Sequence, residues 1–253
     1  MQNLLADRLW GMYVMEAVGS FIILAVIQLA HIFVFSAFAI SLSFLVAVVA
    51  AAKISGANLN GAVTITLALN QIRSERSSLK NPEKVFKYIF AQVVGGILAG
   101  VLIAIIHGPS KLVEIQPSPS ITLTQAFILE FIYTLVLCSV VGILCSDVYR
   151  QAHDPAIVGS LVSACVFLAS MALGDKTGGV INPSVAFSAM LARSITNFSG
   201  LNFKLLFLYI SAHIIAAFTS HLLYDRIIRP AFLKQLPGKS RSEMLLKTMQ
   251  GEK

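Results

Sequence analysis

Two apolar segments of this chain are too short to cross a lipid bilayer, and they lie among six that are long enough. The six are runs of about twenty mostly apolar residues, the length a transmembrane helix needs. They lie at roughly 9–29, 33–52, 85–106, 121–145, 156–173 and 204–224. The two short ones run from Asn60 to about Asn70 (NGAVTITLALN) and from Asn182 to about Ala192 (NPSVAFSAMLA). A bilayer core holds no water to satisfy free backbone groups, so a segment inside it must be helical or be enclosed by protein. The composition leaves no other class. Hydrophobic residues make up 57% of the 253 residues and charged ones only 12%, against about 25% charged in an ordinary soluble domain. The mean hydropathy is +0.80. There are too few charges for the polar skin of a soluble enzyme, and too many apolar residues for disorder. The expected fold is an all-α membrane protein with six transmembrane helices and two half-length ones.

Each short segment follows a glycine-containing turn, Ser55-Gly56-Ala57 or Thr177-Gly178-Gly179, and each begins with Asn, a favoured helix N-cap. Pro183 occupies the first helical position of the second, where its fixed φ suits a helix. Taken singly, either segment reads equally well as a buried surface helix. Together they form part of a repeat. The order span, span, short helix, span runs over about residues 1–110 and again over about 120–225. A glutamate sits in the first span of each half, Glu16 in EAVGSF and Glu130 in EFIYTL. Three full spans per half is an odd number, so the second half enters the membrane from the opposite side. Inverted repeats with paired half-length helices point to a transport site near the midplane. The helix starts at Asn60 and Asn182 are therefore expected to meet at the centre of a single domain. That domain covers 1–225, with halves of about 1–115 and 116–225, and a basic tail follows at 226–253.

The net charge of +7 would suggest nucleic acid in a soluble protein. Here its distribution excludes that partner. With a cytoplasmic N-terminus, every Lys and Arg except Lys111, Lys176, Arg193 and Lys204 falls on the cytoplasmic side. This is the positive-inside pattern, and it puts both termini in the cytoplasm. The tail reads either as solvated or as touching anionic lipid head groups. The N-terminal apolar stretch lacks a small-residue cleavage site and reads as the first span. Cys138, Cys145 and Cys165 show no metal spacing and no disulfide framework, and read as packing residues. His31, His107, His213 and His221 are scattered. Asn197-Phe198-Ser199 is a glycosylation sequon on the expected outer side. No nucleophile–base pair or metal cluster appears in the spans, so no catalytic residue, metal or cofactor is expected.

Residues 8–225 resemble the major intrinsic protein family, the aquaporins and aquaglyceroporins. The family's first loop reads roughly S-G-A-H-x-N-P-A-V-T, and here it is Ser55-Gly56-Ala57-Asn58-Leu59-Asn60-Gly61-Ala62-Val63-Thr64. The second reads roughly T-G-G/C-x-x-N-P-A-R, and here it is Thr177-Gly178-Gly179-Val180-Ile181-Asn182-Pro183-Ser184-Val185. Ala91-Gln92, Gly95-Gly96 and the two glutamates also match family patterns. The resemblance implies passive flow of water or small neutral solutes, with no coupling ion and no chemistry. It implies a pore motif of Asn60, Gly61, Ala62, Asn182, Pro183 and Ser184. Opposed half-helix N-termini would repel cations, and the Asn amides would orient the passing molecule. It also implies that Glu16, Glu130 and Gln92 support the re-entrant loops, although charges within spans are more often functional. A homotetramer in a lipid bilayer is the family's usual assembly. Glycines at 95, 96 and 100 allow close helix packing.

Two departures from the pattern matter. The motifs read N-G-A and N-P-S, so Gly61 replaces a helix-shaping proline and Ser184 adds a hydroxyl. At the outer constriction the family's Arg is Val185. By family spacing the other positions there are Ile40, Ser170 and Gly179. This set is small and largely apolar, so the constriction is expected to be wider and less polar than in a strict water channel. Ala186 stands where glycerol channels often carry Asp. The alternative to a channel is a non-conducting subunit of a larger membrane assembly, for which missing filter chemistry would be harmless. An ion-coupled transporter would need paired acidic and basic residues at the midplane, and none accompany Glu16 and Glu130.

Overall fold

A computed structural model describes residues 2–31, 33–71, 81–146 and 154–235. It contains nine α-helices among the described residues: α1 Gln2–Ala30, α2 Ser36–Ala51, α3 Gly61–Gln71, α4 Pro82–His107, α5 Leu123–Leu144, α6 Pro155–Leu173, α7 Pro183–Thr196, α8 Phe203–Leu223 and α9 Arg229–Gln235. The helix starts follow local chemistry. Asn81 accepts from Glu83 N at 2.9 Å ahead of Pro82, and Asp154 accepts from Ala156 N at 2.8 Å ahead of Pro155. Thr122 and Gln125 form a capping box, which satisfies two end groups reciprocally. Asn202 accepts from Leu205 N at 3.1 Å at the start of α8.

Among the described residues, five helical segments are long and apolar enough to cross a membrane: 10–30, 82–107, 123–144, 155–173 and 203–235. The second expected span is shorter, with 16 residues in α2, because 33–35 form a turn before Ser36. At 1.5 Å per residue it still reaches about 24 Å. The half-helices have 11 residues in α3 and 14 in α7, or about 16 and 21 Å. The second therefore runs beyond the expected Ala192. End to end, the pair spans a hydrocarbon core of about 30 Å. The helical chain continues past 225, through a π turn at Tyr224–Ile228 into α9, so the first part of the expected tail is helical. The basic positions Arg73, Arg76, Lys80, Lys239, Arg241, Lys247 and Lys253 lie outside the described residues.

The packing has the symmetry of the repeat. Helix α1 packs along α4, α5 packs along α8, and α2 meets α6 between the halves. Each half-helix leans on the last span of the other half, α3 on α8 and α7 on α4. Two adjacent glycines make this crossing possible. A Cβ on Gly95 would collide with the Ala17 carbonyl of α1, and one on Gly96 with the Ser188 hydroxyl of α7. Helix α4 thus touches a neighbour's backbone on one side and a half-helix on the other. Arg193 clamps the connection before α5 by donating to Leu112 O at 2.6 Å and to Glu114 at 3.0 Å. Ser118 N donates to Lys176 O at 2.7 Å and ties this connection to the second loop.

Candidate functional site

The two half-helices meet through their caps. Asn60 Oδ1 accepts from Ala62 N at 2.9 Å and Val63 N at 3.4 Å. Asn182 Oδ1 accepts from Ser184 N at 3.0 Å and Val185 N at 3.3 Å. Each cap's amide also reaches across the centre. Asn60 Nδ2 donates to Ile181 O at 3.0 Å, and Asn182 Nδ2 donates to Leu59 O at 2.9 Å. An Asn amide nitrogen has two N–H donors, so one on each remains for a third molecule. Two helix N-termini, each equivalent to about half a positive charge, converge on one point.

Strained loops lead into these caps. Gly56, Ala57 and Leu59 have φ of 90°, 52° and 50°, and Gly178, Gly179 and Ile181 have φ of 88°, 58° and 41°. A left-handed non-glycine residue costs about 1–2 kcal/mol, so something must hold these loops. The buried glutamates do. Glu16 Oε1 accepts from Ser55 Oγ at 2.7 Å and Asn58 N at 3.0 Å, and its Oε2 from Leu59 N and Gln92 Nε2, both at 2.8 Å. Glu130 repeats the arrangement atom for atom. Its Oε1 accepts from Thr177 Oγ1 at 2.6 Å and Val180 N at 3.0 Å, and its Oε2 from Ile181 N and His213 Nε2, both at 2.9 Å. Both carboxylates are fully buried. All four of their oxygens accept from the loops or from the last span of the same half. Two tyrosines complete the symmetry: Tyr88 Oη donates to Ser55 O and Tyr209 Oη to Thr177 O, each at 2.7 Å.

Sequence reasoning singled out neither tyrosine and read His213 only as one of four scattered histidines. A signal was present. Tyr88-Ile89-Phe90-Ala91-Gln92 and Tyr209-Ile210-Ser211-Ala212-His213 put a phenol and a donor one helical turn apart on the last span of each half. His213 is the counterpart of Gln92. Among the described residues the other histidines stay apart from this site: His31 Nδ1 bonds Gln28 O at 2.9 Å, and His221 Nδ1 bonds Asn70 Oδ1 at 2.8 Å.

The two motif departures fit each other. Ser184 Oγ donates to Gln92 Oε1 at 2.8 Å. Gln92 Nε2 donates to Thr64 Oγ1 at 3.1 Å as well as to Glu16, and Thr64 Oγ1 donates to Asn60 O at 2.9 Å. A polar strap thus runs from the second motif to the first. Gly61 leaves room for it, since a Cβ there would lie 2.9 Å from Ser184 Oγ and 3.0 Å from Pro183 Cγ. Ala62 is fully buried beside them.

A vestibule of about 30 Å³, partly open to solvent, leads to Asn60 on the α3 side. Its walls are mostly apolar and include Val48, Val141, Val158 and Val162, with the loop 56–60 as a polar strip. In that strip the N–H groups of 57, 58 and 59 go to Ser55 and Glu16. On the other side of the centre, Val185 is 5% exposed and packs in the core, while Ile40, Ser170 and Gly179 are half-buried. Gly179 lies against α6, where an added Cβ would come 2.9 Å from the Ala169 carbonyl, next to Ser170. Cys138 is buried, Cys145 and Cys165 are half-buried, and all three are free thiols. Among the described residues no cluster of metal-ligating side chains occurs. Asn197 Nδ2 donates to Pro109 O and Arg193 O, both at 3.1 Å.

Comparison with known proteins gives the same picture. The sequence profile described as "Major intrinsic protein" matches residues 2–224. A probable aquaporin of Archaeoglobus fulgidus is 29% identical over 202 residues, covering 76% of this chain and 77% of its own length. The glycerol uptake facilitator of Escherichia coli is 31% identical over 160 residues, covering 54% of this chain and 53% of its own. That alignment spans about half the length of the bacterial relative. The crystal structure of the aquaglyceroporin from Plasmodium falciparum superposes with a TM-score of 0.76 at 22% identity, covering 88% of this chain and 98% of that one. This likeness establishes the fold.

Proposed function

The chain belongs to the major intrinsic protein family, whose members are membrane channels and not enzymes, and from that premise we propose that it is a passive pore for water and small uncharged solutes which excludes ions. The observation that carries the proposal is the meeting of two Asn-capped half-helices, each with an amide N–H left over. A neutral molecule at that point accepts from both amides. A cation meets two positive helix ends and no counter-charge, because Glu16 and Glu130 are turned into the loops. Selection at such a pore comes from diameter, lining hydrogen bonds and electrostatic barriers.

Ile40, Ser170, Gly179 and Val185 form the outer constriction in this reading. With no cation among them, the barrier to ions rests on the half-helix ends alone, and the opening admits solutes larger than water. Both termini face the cytoplasm, as the lysine and arginine bias requires, and the protein works as a homotetramer in the bilayer. Proteoliposomes loaded for light-scattering flux assays test the proposal. Water, glycerol, urea and peroxide are expected to pass, while protons and alkali cations are retained. Flux restricted to water would refute the wide constriction. Absence of any flux would refute the channel and leave the structural-subunit role.

A further inference from the structure

The two halves match beyond their caps. One constant shift along the chain carries Asn60 onto Asn182, and with it α2, the first loop and α3 onto α6, the second loop and α7. The hydrogen bonds repeat under this shift. Ala52 N donates to Val48 O, and Gly174 N to Ser170 O, each at 2.9 Å. Ala57 N donates to Ser55 Oγ at 3.0 Å, and Gly179 N to Thr177 Oγ1 at 3.2 Å. Val63 N and Val185 N each donate to the cap asparagine of their own half. The four residues of the outer constriction therefore have counterparts: Val162 for Ile40, Val48 for Ser170, Ala57 for Gly179 and Val63 for Val185. All four counterparts line the vestibule on the α3 side. Each ring takes one residue from α2, one from α6 and two from a loop and its half-helix. Along α2 and α6 the rings lie about 12 Å apart, one on each side of the asparagine pair.

We propose that Val48, Val63 and Val162 form a second constriction, and that this ring sets which solutes pass and how fast. The proposal rests on the channel reading above. The two rings differ in room. The outer one holds a glycine and a serine, and Ile40, Ser170 and Gly179 are half-buried. On the α3 side every member carries a methyl group and every member is buried: Val48 is 4% exposed, Ala57 8%, Val63 5% and Val162 8%. Side chains that line a passage and yet have almost no solvent access mark its narrowest part. The vestibule beside them has about 30 Å³ of room, enough for about two waters. Glycerol is several times larger than water and has to move the valines apart. All three sit in helices, where a β-branched side chain keeps one strongly preferred rotamer, so they yield little. The side chains of the ring offer no hydrogen bond. A solute crossing it sheds hydration without replacement there, as at other apolar constrictions. Glycerol, with more hydroxyls, loses more than water does. The outer ring thus leaves the size limit to the α3 side.

Glycerol and water fluxes are measured in proteoliposomes of the wild type, Val162→Ala, Val162→Ile and Leu161→Ala. The ratio of the two fluxes is the readout, because it does not depend on how much of a variant folds. Val162→Ala widens the ring, and the glycerol-to-water ratio is expected to rise about tenfold, the low end of what one methylene changes in an apolar pocket. Val162→Ile narrows the ring, and the ratio is expected to fall about tenfold. Leu161 stands beside Val162 on α6 and is 41% exposed, so Leu161→Ala is expected to keep the wild-type ratio. A ratio that stays at the wild-type value in both Val162 variants would overturn the second constriction. So would a shift as large in Leu161→Ala. Those results leave the channel intact, whereas a wild type that conducts neither solute overturns the channel and the second constriction together.

Discussion

Removing one hydroxyl, Ser184→Ala, tests whether the two half-helices are tied together by the polar strap. Ser184 and Gln92 are both buried, and the Ser184 Oγ to Gln92 Oε1 bond is 2.8 Å. The alanine leaves Gln92 Oε1 without a partner where water has no access. An orphaned buried acceptor costs about 1–3 kcal/mol. The complementary change is Gly61→Ala, whose Cβ would lie 2.9 Å from Ser184 Oγ and 3.0 Å from Pro183 Cγ. Overpacking of this kind costs about 1–3 kcal/mol, and the part due to the hydroxyl vanishes once Ser184 is alanine. The double variant is therefore expected to be less destabilised than the sum of the single ones, with a coupling of about 0.5–3 kcal/mol. SDS titration of the purified protein, followed by circular dichroism, supplies the four free energies. Costs that add within about 0.3–0.5 kcal/mol, the scatter of independent sites, would refute the coupling. A costless Ser184→Ala would refute the strap itself.

His213→Gln is expected to stay within about 1 kcal/mol of the wild type, because a glutamine amide does the same work for Glu16 at Gln92. His213→Leu removes one of the two side-chain donors to Glu130, leaving Thr177, and is expected to cost about 1.5–3 kcal/mol, the range for a hydrogen bond to a charged group. The same SDS titration measures both, and equal losses would contradict the symmetry argument. Val185→Arg puts a long cation at the constriction. Glycerol flux is expected to fall about tenfold relative to water, a barrier increase of about 1.4 kcal/mol. An unchanged glycerol-to-water ratio in proteoliposomes would remove Val185 from the constriction.

The spans were legible because their apolar runs match the bilayer thickness. The half-helices were legible because their length does not, and because Asn60 and Asn182 stand where caps belong. The second span was misjudged at its start, since Phe33, Val34 and Phe35 are apolar yet form a turn. Helix faces were not legible. These helices are apolar all round, so no periodicity separates the side facing lipid from the side facing protein. Ile103 is buried and Ile105 is exposed on the same helix, and nothing in the residue type distinguishes them. The role of His213 was hidden for a related reason. A lone histidine in an apolar helix reads as a packed residue until the repeated Tyr-x3-Gln/His spacing is set beside it.

By itself the sequence determined the class, the repeat and its inversion, because these follow from run lengths and an odd count of spans. The tertiary structure decided who bonds with whom. Gln92 reaches Glu16 across 76 residues and Asn60 reaches Ile181 across 121. The first contact comes from α1 packing along α4 and the second from the two half-helix caps meeting at the centre, and local hydrophobic pattern carries no record of either. Only in the folded chain do Gly61 and Ser184, two separate departures from a motif, occupy one shared space.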